Sequence, residues 1–354
     1  MTETYLVTGG AGFIGAAVIT RLLANQSVHV VNIDKLTYAS NPAALDTFAQ
    51  HSRYSFEQAD VADADAMRSL FARYRPVAVM HLAAESHVDR SIDSPHAFVR
   101  TNVLGTYTLL NSALEYWSRL DPEGRSRFRF LHVSTDEVYG SLGPTGTFTE
   151  QSRYDPRSPY AATKASADHL VRAWHHTYGL PAMITNCSNN YGPWQFPEKL
   201  IPLTIVNALS GAPIAVYGKG DNVRDWLHVE DHASALIAVV RRGEIGRTYM
   251  VSAGNERPNI DVVHLICDII DEYDPPIGAS RRTLVEFVED RPGHDFRYAL
   301  DGSRLSAELG WTPEHTFSQG LSSTVRWYIE NRAWWERIRS TKYAGERIGR
   351  GDRP

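Results

Sequence analysis

Thr8-Gly9-Gly10-Ala11-Gly12-Phe13-Ile14-Gly15 follows the apolar run Tyr5-Leu6-Val7 and opens a stretch with helical periodicity. Glycines at 9, 12 and 15 remove the Cβ atoms that would keep backbone amides, those of Phe13 and Ile14 included, and a helix N-terminus away from a pyrophosphate. Asp34 stands nineteen residues beyond Gly15, at the end of a second apolar run, Val28–Ile33. A carboxylate there accepts hydrogen bonds from ribose hydroxyls and disfavours a 2′-phosphate, so the pattern points to NAD rather than NADP. Lys35 beside it keeps the NADP reading open, and Thr37 falls on the same loop. A plain tight turn with a surface aspartate is the competing reading; the strand, turn and helix context weighs against it.

Outward from this turn, apolar runs at Val77–Leu82, Phe128–Val133 and Ala182–Thr185 alternate with longer amphipathic segments. That alternation predicts an α/β fold: a Rossmann-type doubly wound parallel sheet. Asp60-Val61 and Leu82-Ala83-Ala84 then fall at strand ends that border a cofactor crevice, although each is equally compatible with ordinary packing. After Asn186 the texture changes, with Pro193, Pro197, Pro202 and Pro213 and clustered glycines breaking the pattern. The expected organisation is an NAD-binding domain over 1–185, with a return near 223–250. A smaller α/β domain spans 186–338, and a polar tail 339–354.

The chain has 354 residues, 43% of them hydrophobic, which is enough for a full core without disulfides. Cys187 and Cys267 lie far apart in apolar runs and suit reduced, buried thiols. A net charge of -5, with no Lys/Arg run, argues against a nucleic-acid or membrane partner. The first residues lack the pattern of a secretory leader, and no apolar run approaches the roughly 20 residues of a membrane helix. These features predict a cytoplasmic protein. His228 and His232, four apart, have neither the acid spacing of a zinc hydrolase nor an evident third ligand, so no metal is expected. Trp327, Tyr328, Trp334 and Trp335 read as core packing or domain docking rather than a base-stacking platform.

Tyr160 and Lys164 are four apart, behind a Ser158-Pro159 cap, and so share one helix face. A neighbouring ammonium stabilises phenolate and lowers the tyrosine pKa toward that of a useful base. Tyr-x-x-x-Lys is common by chance; after a nucleotide fold and a strand ending in Ser134-Thr135 it gains weight. Asp136 and Glu137 follow that strand directly, where a solvated acidic loop is the bland alternative. Simple alcohol oxidation gives two adjacent acids no task, whereas elimination needs one group to take a proton and another to protonate a leaving hydroxyl.

Thr8–Gly15, Ser134–Gly140, Ser158–Ser166 and Asn186–Pro193 together resemble the dTDP-glucose 4,6-dehydratase family of extended short-chain dehydrogenases/reductases. Phe196–Pro202, Tyr217–Gly220, Arg224–Trp226 and 290–295 agree, and the likeness runs from residue 4 to about 335. Related sugar-nucleotide 4-epimerases carry neutral residues where this chain has its acidic pair. The resemblance implies a hydro-lyase with tightly held NAD. Tyr160, with Lys164 and Thr135, would take the C4 hydroxyl proton during oxidation; Glu137 would remove the C5 proton as Asp136 protonates the departing C6 hydroxyl. That role requires Asp136 to stay protonated near neutral pH.

The resemblance further implies that Thr101 and Asn190 lie near NAD. Ser86, Asn189, Lys199, Leu200, Ala215, Tyr217, Arg224, Asn255, Arg291 and His294 match positions that contact sugar, diphosphate or base. Paired guanidinium groups at 224 and 291 suit a diphosphate, although either could be a surface ion-pair partner. A homodimer through helices near 98–118 and 160–178 is the family expectation. A UDP- or GDP-sugar substrate, or a silent NAD-binding regulator, remains the alternative.

Overall fold

The computed structural model describes residues 2–276, 278–291, 293–346 and 348. Its strands are β1 Glu3–Thr8, β2 Val28–Asp34, β3 Tyr54–Gln58, β4 Ala78–His81, β5 Arg129–Thr135, β6 Ala182–Cys187, β7 Asn189–Tyr191, β8 Ile214–Tyr217, β9 Val223–His228, β10 Thr248–Val251, β11 Glu256–Pro258 and β12 Val285–Val288. Seven of them form one sheet in the order β10-β6-β5-β4-β1-β2-β3, every pair parallel.

Along β1 the side chains alternate: Tyr5 and Val7 enter one core, Leu6 the other. The first core is closed by helices Phe13–Leu23 and Val229–Arg242, which place Val18, Ile19 and Leu22 with Leu236 and Val239. Helices Ala64–Tyr74 and Thr106–Ser118 close the second with Met67, Leu70, Leu109 and Leu110. Both faces of the sheet are therefore covered, as an all-parallel sheet requires. The winding reverses between β1 and β4, so a crevice opens beyond the carboxyl ends of β1, β4 and β5.

The second domain holds the sheets β11-β9-β7 and β12-β8. Helices Leu200–Ser210, Asn259–Tyr273 and Phe317–Glu330 surround a core containing Ile205, Val263, Ile266, Leu321, Tyr328 and Trp335. β9 pairs with β7 and β11, so the return to the first domain starts at Val229 rather than 223. The last helix, Arg332–Thr341, runs past residue 338, where the sequence suggests a polar tail, and Tyr343 beyond it is buried. Residues 347 and 349–354 of that tail, and Pro292 of the 290–295 segment, lie outside the described residues. Among the described residues no helix is long and apolar enough to cross a membrane.

Candidate active site

The crevice is a cavity of about 540 Å³ between the two domains. Every site residue named from the sequence lines it except Asp60 and Asn255. Asp60 instead accepts from the Ala62 amide at 3.0 Å and pairs with Arg100 at 3.5 Å, because the carboxylate is needed to close its own turn. Asn255 donates its amide to Asp225 Oδ1 at 2.7 Å, fixing the approach to β11.

At the glycine turn the fit to a dinucleotide can be tested on the backbone. Gly9 has φ +73°, and a Cβ there would meet the Ala83 amide nitrogen at 2.7 Å; one on Gly15 would meet the Gly9 carbonyl oxygen at 2.2 Å. Those two glycines let strand, turn and helix pack together. Gly12 is the cap of helix Phe13–Leu23 and offers no side chain, which leaves the first-turn amides facing the cavity. Asp34 accepts from the amides of Ala11 at 3.0 Å and Leu36 at 2.8 Å, and burial raises its pKa. Lys35 is drawn aside, donating to Thr101 Oγ1 at 2.8 Å and pairing with Glu85 at 3.6 Å. Thr101 sits in a π-helical turn, Val99–Gly105, whose Asn102 binds both the Glu85 backbone and Thr163.

Helix Pro159–Tyr178 starts where Ser158 Oγ accepts from the Ala161 amide at 3.0 Å, and this cap aims Tyr160 and Lys164 into the crevice. Tyr160 departs from expectation: its pKa lies well above the usual 10, first through burial and then through repulsion by Glu137. Lys164 directs Nζ to the Val133 carbonyl at 2.8 Å, and burial lowers its own pKa to about 8. Thr135 favours the phenolate by hydrogen bonding.

The acidic pair sits on a 3-10 turn, Asp136–Tyr139, immediately beyond β5. Asp136 is 1% exposed; its Oδ1 accepts from Thr135 Oγ1 at 3.1 Å, while Oδ2 is buried without a hydrogen-bond partner. Burial, then Glu137, hold its pKa well above the ordinary carboxylate value. Burial raises Glu137 too, but Arg291, Lys199 and Arg224 work against the rise. Two neighbouring carboxyls are thus set apart: burial and Glu137 favour the neutral form at Asp136, while three cations favour the ionised form at Glu137.

On the substrate side, Arg291 pairs with the buried Asp89 at 2.7 Å inside the cavity, not at the surface. Asp89 also accepts from Tyr217 OH at 3.2 Å; nothing in its sequence surroundings singled it out. Arg224 spends its guanidinium on the carbonyls of Val223, Asp295 and Phe296 and lies 4.4 Å over the Tyr298 ring. Lys199 donates to the Ser86 carbonyl at 2.8 Å, and burial lowers His294 to about 4. His228 caps helix Val229–Arg242, and His232 Nδ1 bonds Asn190 Oδ1 at 2.8 Å.

Parallel sheet, glycine turn, Tyr-x-x-x-Lys helix and the two small sheets that follow define an extended short-chain dehydrogenase/reductase. The GDP-mannose 4,6 dehydratase family matches residues 6–324, and the chain belongs to that family. It is 53% identical to a dTDP-glucose 4,6-dehydratase of Escherichia coli, covering 97% of this chain and 98% of the relative. A dTDP-glucose 4,6-dehydratase of Neisseria meningitidis serogroup B is 55% identical over 98% of this chain and 99% of its own. Among solved structures, the dTDP-glucose 4,6-dehydratase DesIV from Streptomyces venezuelae, with NAD and dTDP bound, superposes with a TM-score of 0.87 at 43% identity. That match covers 95% of this chain and all of DesIV.

Proposed function

We propose that the chain is an NAD-dependent dTDP-glucose 4,6-dehydratase, converting dTDP-glucose to dTDP-4-keto-6-deoxyglucose and water. The observation that carries this reading is the buried Asp136, its pKa raised by burial and its Oδ2 unpartnered in the cavity that also holds Glu137, Tyr160 and the glycine turn. The relatives at 53% and 55% identity support the substrate.

Gly9, Gly12, Gly15 and the amides of Phe13 and Ile14 would hold the pyrophosphate, Asp34 a ribose, and Thr101 and Asn190 would border the cofactor. Bound there, NAD supplies the hydride acceptor for oxidation at C4 and the donor for reduction at C6. Tyr160 takes the C4 hydroxyl proton, with Thr135 and Lys164 favouring the phenolate and ionised Glu137 opposing it. The resulting C4 ketone acidifies the C5 hydrogen. Glu137, kept ionised by Arg291, Lys199 and Arg224, removes that proton and gives it back to C5 when C6 is reduced; Asp136 delivers its own to the C6 hydroxyl, which leaves as water. Arg224 and Arg291 hold the diphosphate, with Lys199, Tyr217 and His294 around it. Asn189, Leu200 and Ala215 complete the sugar and base pocket, and Ser86 adjoins the sugar.

The protein acts in the cytoplasm as a homodimer through helices 98–118 and 160–178. Val99, Leu104, Tyr107 and Tyr178, all exposed on those segments, support that face.

Incubation of purified enzyme with C4-deuterated dTDP-glucose, and with its UDP and GDP counterparts, tests the assignment. Deuterium is expected at C6 of the dTDP product. An unconverted dTDP sugar overturns the substrate, and label lost to solvent overturns internal hydride return.

A further inference from the structure

Behind Lys164 lies a buried polar cluster that the reaction above does not use. Lys164 is 4% exposed and stands 3.5 Å from His132 Nε2. The same Nε2 lies 3.3 Å from Asp168 Oδ1. Asp168 is fully buried, one helical turn beyond Lys164, and its Oδ2 accepts from Ser134 Oγ at 2.9 Å, Tyr154 OH at 2.8 Å and Asn186 Nδ2 at 3.4 Å. An ammonium taken out of water sheds its proton unless an opposite charge sits close by.

Several groups face this cluster. His81 comes from β4, its ring centroid 5.3 Å from that of His132, and Cys187 from β6. Tyr154 comes from the loop before the helix, and Arg172 and Tyr160 from the helix itself. Asp136 approaches from the cavity side, toward Cys187 and Tyr160. Burial holds His81 and His132 neutral, His132 at about 4, so the imidazole adds no charge; its single Nε2 lies between Lys164 and Asp168 and can hydrogen-bond to only one of them. Asp168 is held below the ordinary carboxylate value and favours the charged lysine.

We propose that Asp168, by its buried charge on the far side of His132, is a positioning residue that keeps the Lys164 ammonium charged and held at the Val133 carbonyl while Tyr160 exchanges its proton. This rests on Tyr160 and Lys164 being the proton-transfer pair.

The test is the pH profile of kcat/KM for C4 oxidation in Asp168→Asn. Its alkaline limb should move to lower pH by about one unit or more, the size of a lost neighbouring charge, with circular dichroism and NAD content unchanged. A limb that stays in place overturns the proposal. Tyr154→Phe and Ser134→Ala remove bonds to Asp168 but not its charge, and should leave the limb where it is. If they move it as far as Asp168→Asn does, the role is structural and the proposal falls. Should Asp168→Asn fail to fold, Asp168→Ser decides: it also removes the charge but leaves a hydroxyl and room for water beside Ser134 and Tyr154, so the same shift supports the proposal and none overturns it. Titration of the Lys164 Cε chemical shift reads the same proton without turnover. A wild type that converts no nucleotide sugar therefore defeats the functional reading alone.

Discussion

A carboxylic acid can protonate a leaving hydroxyl only if it still holds its proton at working pH, and burial beside Glu137 pushes Asp136 toward that condition by position rather than by residue type. Its folded pKa is raised, so the native state binds a proton that the unfolded chain has released above about 3.8. Stability from this site is therefore full below that value and is lost as pH rises toward the folded pKa. Asp136→Asn removes the cost together with the acid. Water loss should slow by about 10²–10⁴-fold while C4 oxidation continues, the range for one general acid. The melting temperature should rise at pH 7 and return to the wild-type value near pH 4. Single-turnover kinetics and thermal melts at the two pH values check both halves; normal dehydration would remove Asp136 from the mechanism. The acidic pair was legible in the sequence and the resemblance already implied its two roles; the cations that oppose the rise at Glu137 were not, because Arg291, Lys199 and Arg224 are brought to it by distant parts of the chain. Tyr160 shows the converse: proximity to Lys164 suggested a lowered pKa, and burial with Glu137 reverses the sign.

Helix Pro159–Tyr178 lines Tyr160, Lys164 and Asp168 along one face, from the crevice to the buried cluster, and packs beside Val99–Gly105 and Thr106–Ser118. On these segments Val99, Leu104 and Tyr107 are 51%, 48% and 42% exposed, and Tyr178 is 51% exposed. A row of large apolar groups on adjoining segments is costly in water and suits burial against a second copy. Leu104→Glu should convert a particle of twice 39.6 kDa into one of a single chain, as measured by light scattering. A wild type that already runs at one chain's mass would defeat the dimer. Elements with their own period were readable before the structure: the runs ending in Asp34 and Thr135, and the Ser158-Pro159 helix start. β7 and β11, three residues each, carry too little pattern, since pairing with β9 defines them. The π-helical turn at 99–105 is likewise a product of packing, with Asn102 held by Glu85 and Thr163.

At the scale of the whole molecule, a reaction that oxidises and then reduces one sugar must keep cofactor and intermediate together until both steps are done. The last described residues lie where they can serve that need. Lys342 Nζ donates to the carbonyls of Tyr38 at 3.0 Å and Ser40 at 3.2 Å, on the loop that follows Asp34. Arg90 lies over the rings of Tyr38 at 4.0 Å and Tyr343 at 6.0 Å, and pairs at 2.9 Å with Glu198, which adjoins Lys199. Gly345 and Glu346 line the cavity itself. The chain end thus ties the loop after Asp34 to the segment around Glu198 on the other side of the cavity, which the Arg- and Gly-rich composition of the tail gave no reason to expect. A Lys342→Met, Tyr343→Ala variant cuts both ties and keeps every group that touches the reacting atoms. Losing a charged hydrogen bond and a buried ring is worth about 1.4 kcal/mol or more in binding, or about tenfold. The variant should therefore purify with less NAD and show KM for the sugar nucleotide raised about tenfold, with kcat little changed. Nucleotide released by acid from the purified protein measures the first, steady-state kinetics the second. Wild-type NAD content together with wild-type KM would show that the two domains hold their ligands without the chain end.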